Sequence, residues 1–120
     1  MMTKDDAPQW PSEWLRGMLN LCVLRVISRG PTYGYAIAAE LEQAGIAAIK
    51  GGTLYPLLNR LTTSGLIVER WEPGEAGPGR KFYTLTEAGS AHLETQLAVW
   101  HRFAEQISHF LTAEQRMRND

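Results

Sequence analysis

Between Gly30 and Thr86 the spacing of apolar residues changes from helical to alternating and back to helical, and few folds accommodate that order in so short a span. Upstream of it, Leu15, Met18, Leu19, Cys22, Val23, Val26 and Ile27 share one stripe of a helix that starts at Glu13 and stops before Gly30-Pro31. Leu21 and Leu24 widen that stripe, so the helix needs cover from two sides. Thr32 is placed to cap a short second helix through Tyr35, Ala38 and Leu41, with Gly45 to end it. After Gly51-Gly52, Thr53 is placed to cap a third helix carrying Leu54, Leu57, Leu58 and Leu61, which Gly65 terminates. Pro56 then falls in its first turn, where an N–H has no acceptor within the helix.

From Leu66 to Trp71 and from Lys81 to Leu85 the pattern alternates as strands do, around a tip rich in Pro73, Gly74, Gly77, Pro78 and Gly79 that reads as flexible. Thr86 caps a last, long helix, where Leu93, Leu97, Trp100, Ala104, Ile107 and Leu111 step alternately by four and three, a heptad seam. The prediction is a mostly α protein with a two-stranded β wing, in the order α-α-α-β-β-α of a winged helix-turn-helix. Its expected parts are an N-terminal arm over 1–12, the winged domain over 13–85, and a dimerisation helix with a short tail over 86–120.

At 120 residues there is room for one such domain and none for a second, catalytic one. Cys22 is the single cysteine and lies in an apolar run, which fits a buried thiol and excludes a disulfide framework within the chain. No segment reaches the roughly 18 apolar residues of a membrane span, and Met1 to Asp6 lacks an export signal's apolar stretch, so the expected location is the cytoplasm. A net charge of −1 does not suggest nucleic acid by itself. Locally the balance is different: Lys50, Arg60, Arg70, Arg80 and Lys81 outnumber Glu69, Glu72 and Glu75 across the third helix and the hairpin.

A groove-reading helix needs hydrogen-bonding and cationic groups opposite its core stripe. The leucines of the third helix leave Tyr55, Asn59, Arg60, Thr62 and Thr63 facing outwards. Gly51 and Gly52 would let a phosphate approach the helix amides, with Thr53 and Lys50 beside it, although a plain turn and cap would use the same residues. Arg80 and Lys81 at the hairpin could follow the flanking backbone.

Three segments resemble the PadR-like transcriptional regulators: Gly30-Pro31-Thr32-Tyr33-Gly34-Tyr35, then Gly52 through Leu61, then Gly77 through Gly89, within a likeness spanning about Leu19 to Leu111. The resemblance implies a dimeric regulator, commonly a repressor of its own or a neighbouring operon, released from DNA by a small molecule or another cue. It puts Tyr55, Asn59 and Arg60 on the recognition helix and Arg80 and Lys81 in the wing. The expected DNA contacts are therefore Tyr33, Lys50, Gly52, Thr53, Tyr55, Asn59, Arg60, Arg80 and Lys81, and the expected partner is a pseudo-palindromic duplex.

The heptad seam has little of its own domain left to cover it, which points to a second copy of the chain. Candidate interface residues are Trp14, Leu21, Leu24, Leu93, Leu97, Trp100, Ala104, Ile107 and Leu111, whereas Phe103 and Phe110 read as core. Trp100, large for a seam, could line a pocket for a small aromatic effector, although tryptophans in seams more often simply pack. His101, Glu105 and His109 recur every four residues, a spacing that solvated helix faces produce as readily as metal sites do. No catalytic motif is recognisable, so neither an enzyme nor a cofactor is expected. Two other classes fit the same residues: a winged-helix module that meets a protein, and a small-molecule sensor with no DNA affinity.

Overall fold

The computed structural model describes residues 10–75 and 77–119. Helix α1 (Ser12–Ile27) opens on Pro11, whose carbonyl accepts from the amides of Trp14 and Leu15. A short strand β1 (Thr32–Tyr33) leads into α2 (Gly34–Gln43), followed by α3 (Gly51–Thr63). The hairpin is β2 (Ile67–Glu72) and β3 (Arg80–Leu85), and α4 (Glu87–Asn119) closes the chain. This is a winged helix-turn-helix with a long C-terminal helix.

The sheet has three strands rather than the expected two. Thr32 pairs with Tyr83 and Tyr33 with Phe82, which sets the order β1-β3-β2. Pairing also removes Thr32 from the capping position: Tyr33, held extended, precedes α2, and no side chain caps that helix. The start of α3 differs from expectation too. Lys50 is extended, and its carbonyl accepts from Thr53 and Leu54, so the helix begins at Gly51 and Thr53 lies within the first turn instead of capping it. Pro56 is therefore inside the helix, where it deprives the Gly52 carbonyl of its i+4 donor. Gly52 is exposed, and water can serve that carbonyl instead.

The helix ends follow the sequence more closely. Gly45 and Gly65 adopt φ of +76° and +78°, each just beyond a helix whose last turn folds back. Ile46 N–H donates to Leu41 and Gly45 N–H to Glu42, and Leu66 and Gly65 repeat the pattern on Leu61 and Thr62. Thr86 caps α4 as its position suggested, its hydroxyl oxygen accepting from Gly89 N–H at 2.9 Å.

The core gathers Val23, Leu24 and Ile27 of α1, Ile37 and Leu41 of α2, the four leucines of α3, Ile67, Tyr83 and Leu93. Leu24 and Leu93 are only 1% and 4% exposed. Both were expected at an interface, yet the chain already covers them: α1 and the first turns of α4 pack on each other and on the sheet. Phe103 and Phe110 depart in the opposite direction. Expected in the core, they are 60% and 74% exposed, because α4 runs on past the domain that covers its first three turns, to Leu97. At the wing tip the backbone approaches itself closely. A Cβ on Gly79 would lie 2.4 Å from the Glu72 carbonyl oxygen, and one on Gly74 would lie 2.7 Å from that of Gly77. These glycines permit close backbone approach.

Candidate nucleic-acid interface

Tyr55 and Asn59, one turn apart on α3, share the face opposite the buried leucines. That face looks across a groove of about 810 Å³ towards the wing. Tyr33, Arg80 and Lys81 line the same groove, so five of the sequence candidates converge. Lys50, Gly52 and Thr53 are exposed on the first turn of α3, beyond the groove, with open space where a Gly52 Cβ would stand. The amides of Gly51 and Gly52 precede the first intrahelical bond, and this positive end of the helix suits an anion.

Arg60 is placed elsewhere. It lies about 100° further round the helix than Asn59 and lines a different groove, between α1 and α4, with Leu21, His92, Trp100 and Phe103. Thr62 is also less available than its position suggested, because its hydroxyl donates to the Leu58 carbonyl at 2.9 Å.

Strand pairing decides which wing residues face α3. Ile67, Glu69 and Trp71 oppose Leu85, Tyr83 and Lys81 on one face of the sheet. The other face carries Arg70, Glu72, Arg80 and Phe82, to which β1 adds Tyr33. The Arg80 guanidinium stands 4.4 Å over the Tyr33 ring, which itself meets Phe82 edge-on at 5.3 Å. Stacking holds this cation without neutralising it. Arg70 is instead paired with Glu72 at 2.9 Å, and Lys81 lies 3.6 Å from Glu69. Among the described residues Arg80 makes no ion pair, although Glu72, which binds Arg70, is its cross-strand neighbour.

Glycine shapes the other wall. A Cβ on Gly34 would sit 2.5 Å from the Tyr55 hydroxyl, so the phenol lies flat across the start of α2. Tyr83 forms the floor, and burial, with Glu69 and Tyr55 nearby, pushes its phenol above the ordinary tyrosine range. It stays neutral there. Five lining residues were not among the sequence candidates: Gly34, Tyr35, Trp71, Gly79 and Tyr83. The alternation Ile67, Glu69, Trp71 was the signal that could have found Trp71.

The interface candidates divide by position. Trp14, Trp100, Ile107 and Leu111 are exposed, while Leu21, Leu97 and Ala104 are half-buried. Trp100 meets His101 edge-on and walls an apolar groove of about 620 Å³ along α1, with Trp14, Met18, Leu21 and Cys22. Burial raises the Cys22 thiol pKa, which keeps the group protonated at neutral pH. Among the described residues, no His, Cys, Asp and Glu group is arranged to hold a metal ion, and no helix is long and apolar enough to cross a membrane.

Residues 23–95 match the family model described as the transcriptional regulator PadR-like family. A transcriptional regulator of Mycobacterium tuberculosis is 30% identical over 95 residues, 79% of this chain and 87% of that protein. The crystal structure of a PadR family regulator from Eggerthella lenta superposes with a TM-score of 0.77 at 37% identity, covering 83% of this chain and 87% of that one. Bacillus subtilis PadR, solved in complex with operator DNA, gives a TM-score of 0.62 at 28% identity, over 67% of this chain and 45% of the longer relative.

Proposed function

Because this chain belongs to the PadR-like family of transcriptional regulators, we propose that it binds a specific duplex operator as a homodimer and represses its own or a neighbouring operon, without catalysing a reaction. The observation that carries this proposal is the shared groove, which Tyr55 and Asn59 of α3 line together with Arg80 and Lys81 of the wing. Asn59 and Tyr55 supply groups for base edges, while Arg80, Lys81 and the first-turn amides of α3 supply groups for phosphates. The structure of the Bacillus subtilis relative with operator DNA supports duplex DNA as the partner.

The second copy would cover α4 beyond Leu97, where Trp100, Phe103, Ile107, Phe110 and Leu111 are exposed. Three columns of the heptad are apolar there, a width that suits more than one neighbouring helix. Trp14 and Leu21 of the opposite α1 would complete such a bundle. An aromatic effector would lie against Trp100 in the apolar groove along α1.

Fluorescence anisotropy tests the central claim, using a labelled duplex from the region upstream of the gene and a scrambled duplex across a salt series. Tighter binding to the native duplex, weakening steeply as salt rises, is expected. Equal affinity for both duplexes, or binding indifferent to salt, would favour a protein-contact module instead.

A further inference from the structure

We propose that Trp71 is a DNA-contacting residue, packing its indole on the deoxyribose faces of the duplex backbone beside the phosphates met by Arg80 and Lys81. This rests on the DNA-binding function proposed above. The inner face of the hairpin begins as core, with Ile67 and Tyr83 buried, and continues outwards along the same face to Trp71 and Lys81. There the helices stop covering it. Trp71 is left 63% exposed on the side of β2 that faces α3, and it lines the groove with Tyr55, Asn59 and Arg80.

The placement is hard to explain by packing within the chain. The neighbour directly across the sheet is Lys81, whose ammonium is 6.0 Å from the indole centroid, so a flat apolar surface stands next to a cation. A sugar–phosphate strand has the complementary character: C–H faces of deoxyribose alternate with anions. A protein partner would be expected to bury the indole in an apolar pocket, but the walls of this groove are phenols, an amide and cations.

Apolar contact and charge neutralisation leave different signatures. Releasing condensed ions makes affinity fall with salt in proportion to the number of phosphates neutralised, whereas shielding apolar surface leaves that slope alone. Shielding about 60 Å² of indole corresponds to about a tenfold change in affinity.

The experiment is a salt series of duplex binding by the full chain, its Trp71→Ala variant and its Lys81→Met variant, with thermal midpoints recorded for each. Trp71→Ala should bind about tenfold more weakly at every salt concentration with the wild-type slope, while Lys81→Met should flatten the slope by about one unit. In parallel, the chain carrying 5-fluorotryptophan is titrated with duplex, and the Trp71 fluorine resonance, identified by its loss in Trp71→Phe, should shift on binding. Wild-type affinity in Trp71→Ala, a Trp71 resonance that does not move, or a loss of affinity accompanied by the Lys81→Met slope would each overturn the proposal. In the last case the indole would act only by positioning Lys81. A wild-type chain that binds no duplex would overturn DNA binding itself, a result distinct from failure of Trp71 alone.

Discussion

Asn59 and Arg60 are adjacent in sequence, and from the sequence both belong to a reading face. The backbone separates them. Asn59 stays with Tyr55 above the groove, and Arg60 turns towards α1 and α4. Asn59→Ala should therefore lower affinity for the specific duplex by about 1–3 kcal/mol while leaving scrambled DNA little affected, as expected for a base-edge contact. Arg60→Ala should change specific binding less, and anisotropy on the two duplexes checks the order. A larger loss in Arg60→Ala would mean that its long side chain swings back to the groove when DNA binds. The difference was not legible in the sequence because a leucine stripe gives the buried side of a helix, whereas its neighbours determine which exposed residues face which groove.

Among the elements, α3, the wing and α4 were legible because each combines strong periodicity with punctuation that acts locally: Gly65 reverses the chain after α3 with positive φ, and Thr86 caps α4. β1 was not legible. Two residues carry no periodicity, and only the register with Phe82 and Tyr83 makes them a strand. The same tertiary dependence applies at Gly89, which reads as an ordinary helix residue of poor propensity. In the structure a Cβ there would lie 1.9 Å from the Leu66 carbonyl oxygen, which is backbone and cannot rotate away. Gly89→Ala should thus destabilise the fold by about 2 kcal/mol, the strain of overpacking outweighing the gain of about 1 kcal/mol in helix propensity. Urea unfolding measures the change; stability equal to or above wild type would mean that α4 can slide off β2.

At the scale of the whole molecule, α4 spans about 50 Å at the usual rise per residue, and from Trp100 to Leu111 it carries a broad apolar face that the described residues leave exposed. The seam was visible as a heptad, and the pairing proposed for it rests on that repeat. The sequence could not tell that Leu93 and Leu24 are already covered, since the same apolar repeat serves both core and interface. Leu97→Asp should yield monomers in sedimentation, because the pairing would bury an unpaired carboxylate. With one reading head per molecule, affinity for a duplex with two half-sites should fall about tenfold or more. A Leu97→Asp chain that still sediments as a dimer would move the interface off this seam.

The Thr86 hydroxyl also donates to the Gly65 carbonyl at 2.7 Å while accepting from Gly89, and the Thr86 amide donates to Leu66. The foot of α3 and the first turn of α4 are therefore geared together, with little slack for one to turn without the other. In a twofold pair, the angle at which the two α4 helices cross would fix how far apart the two α3 helices stand along the duplex. The length of DNA that such a pair can straddle is then dictated by the packing of α4, while α3 governs only which bases are read at each end.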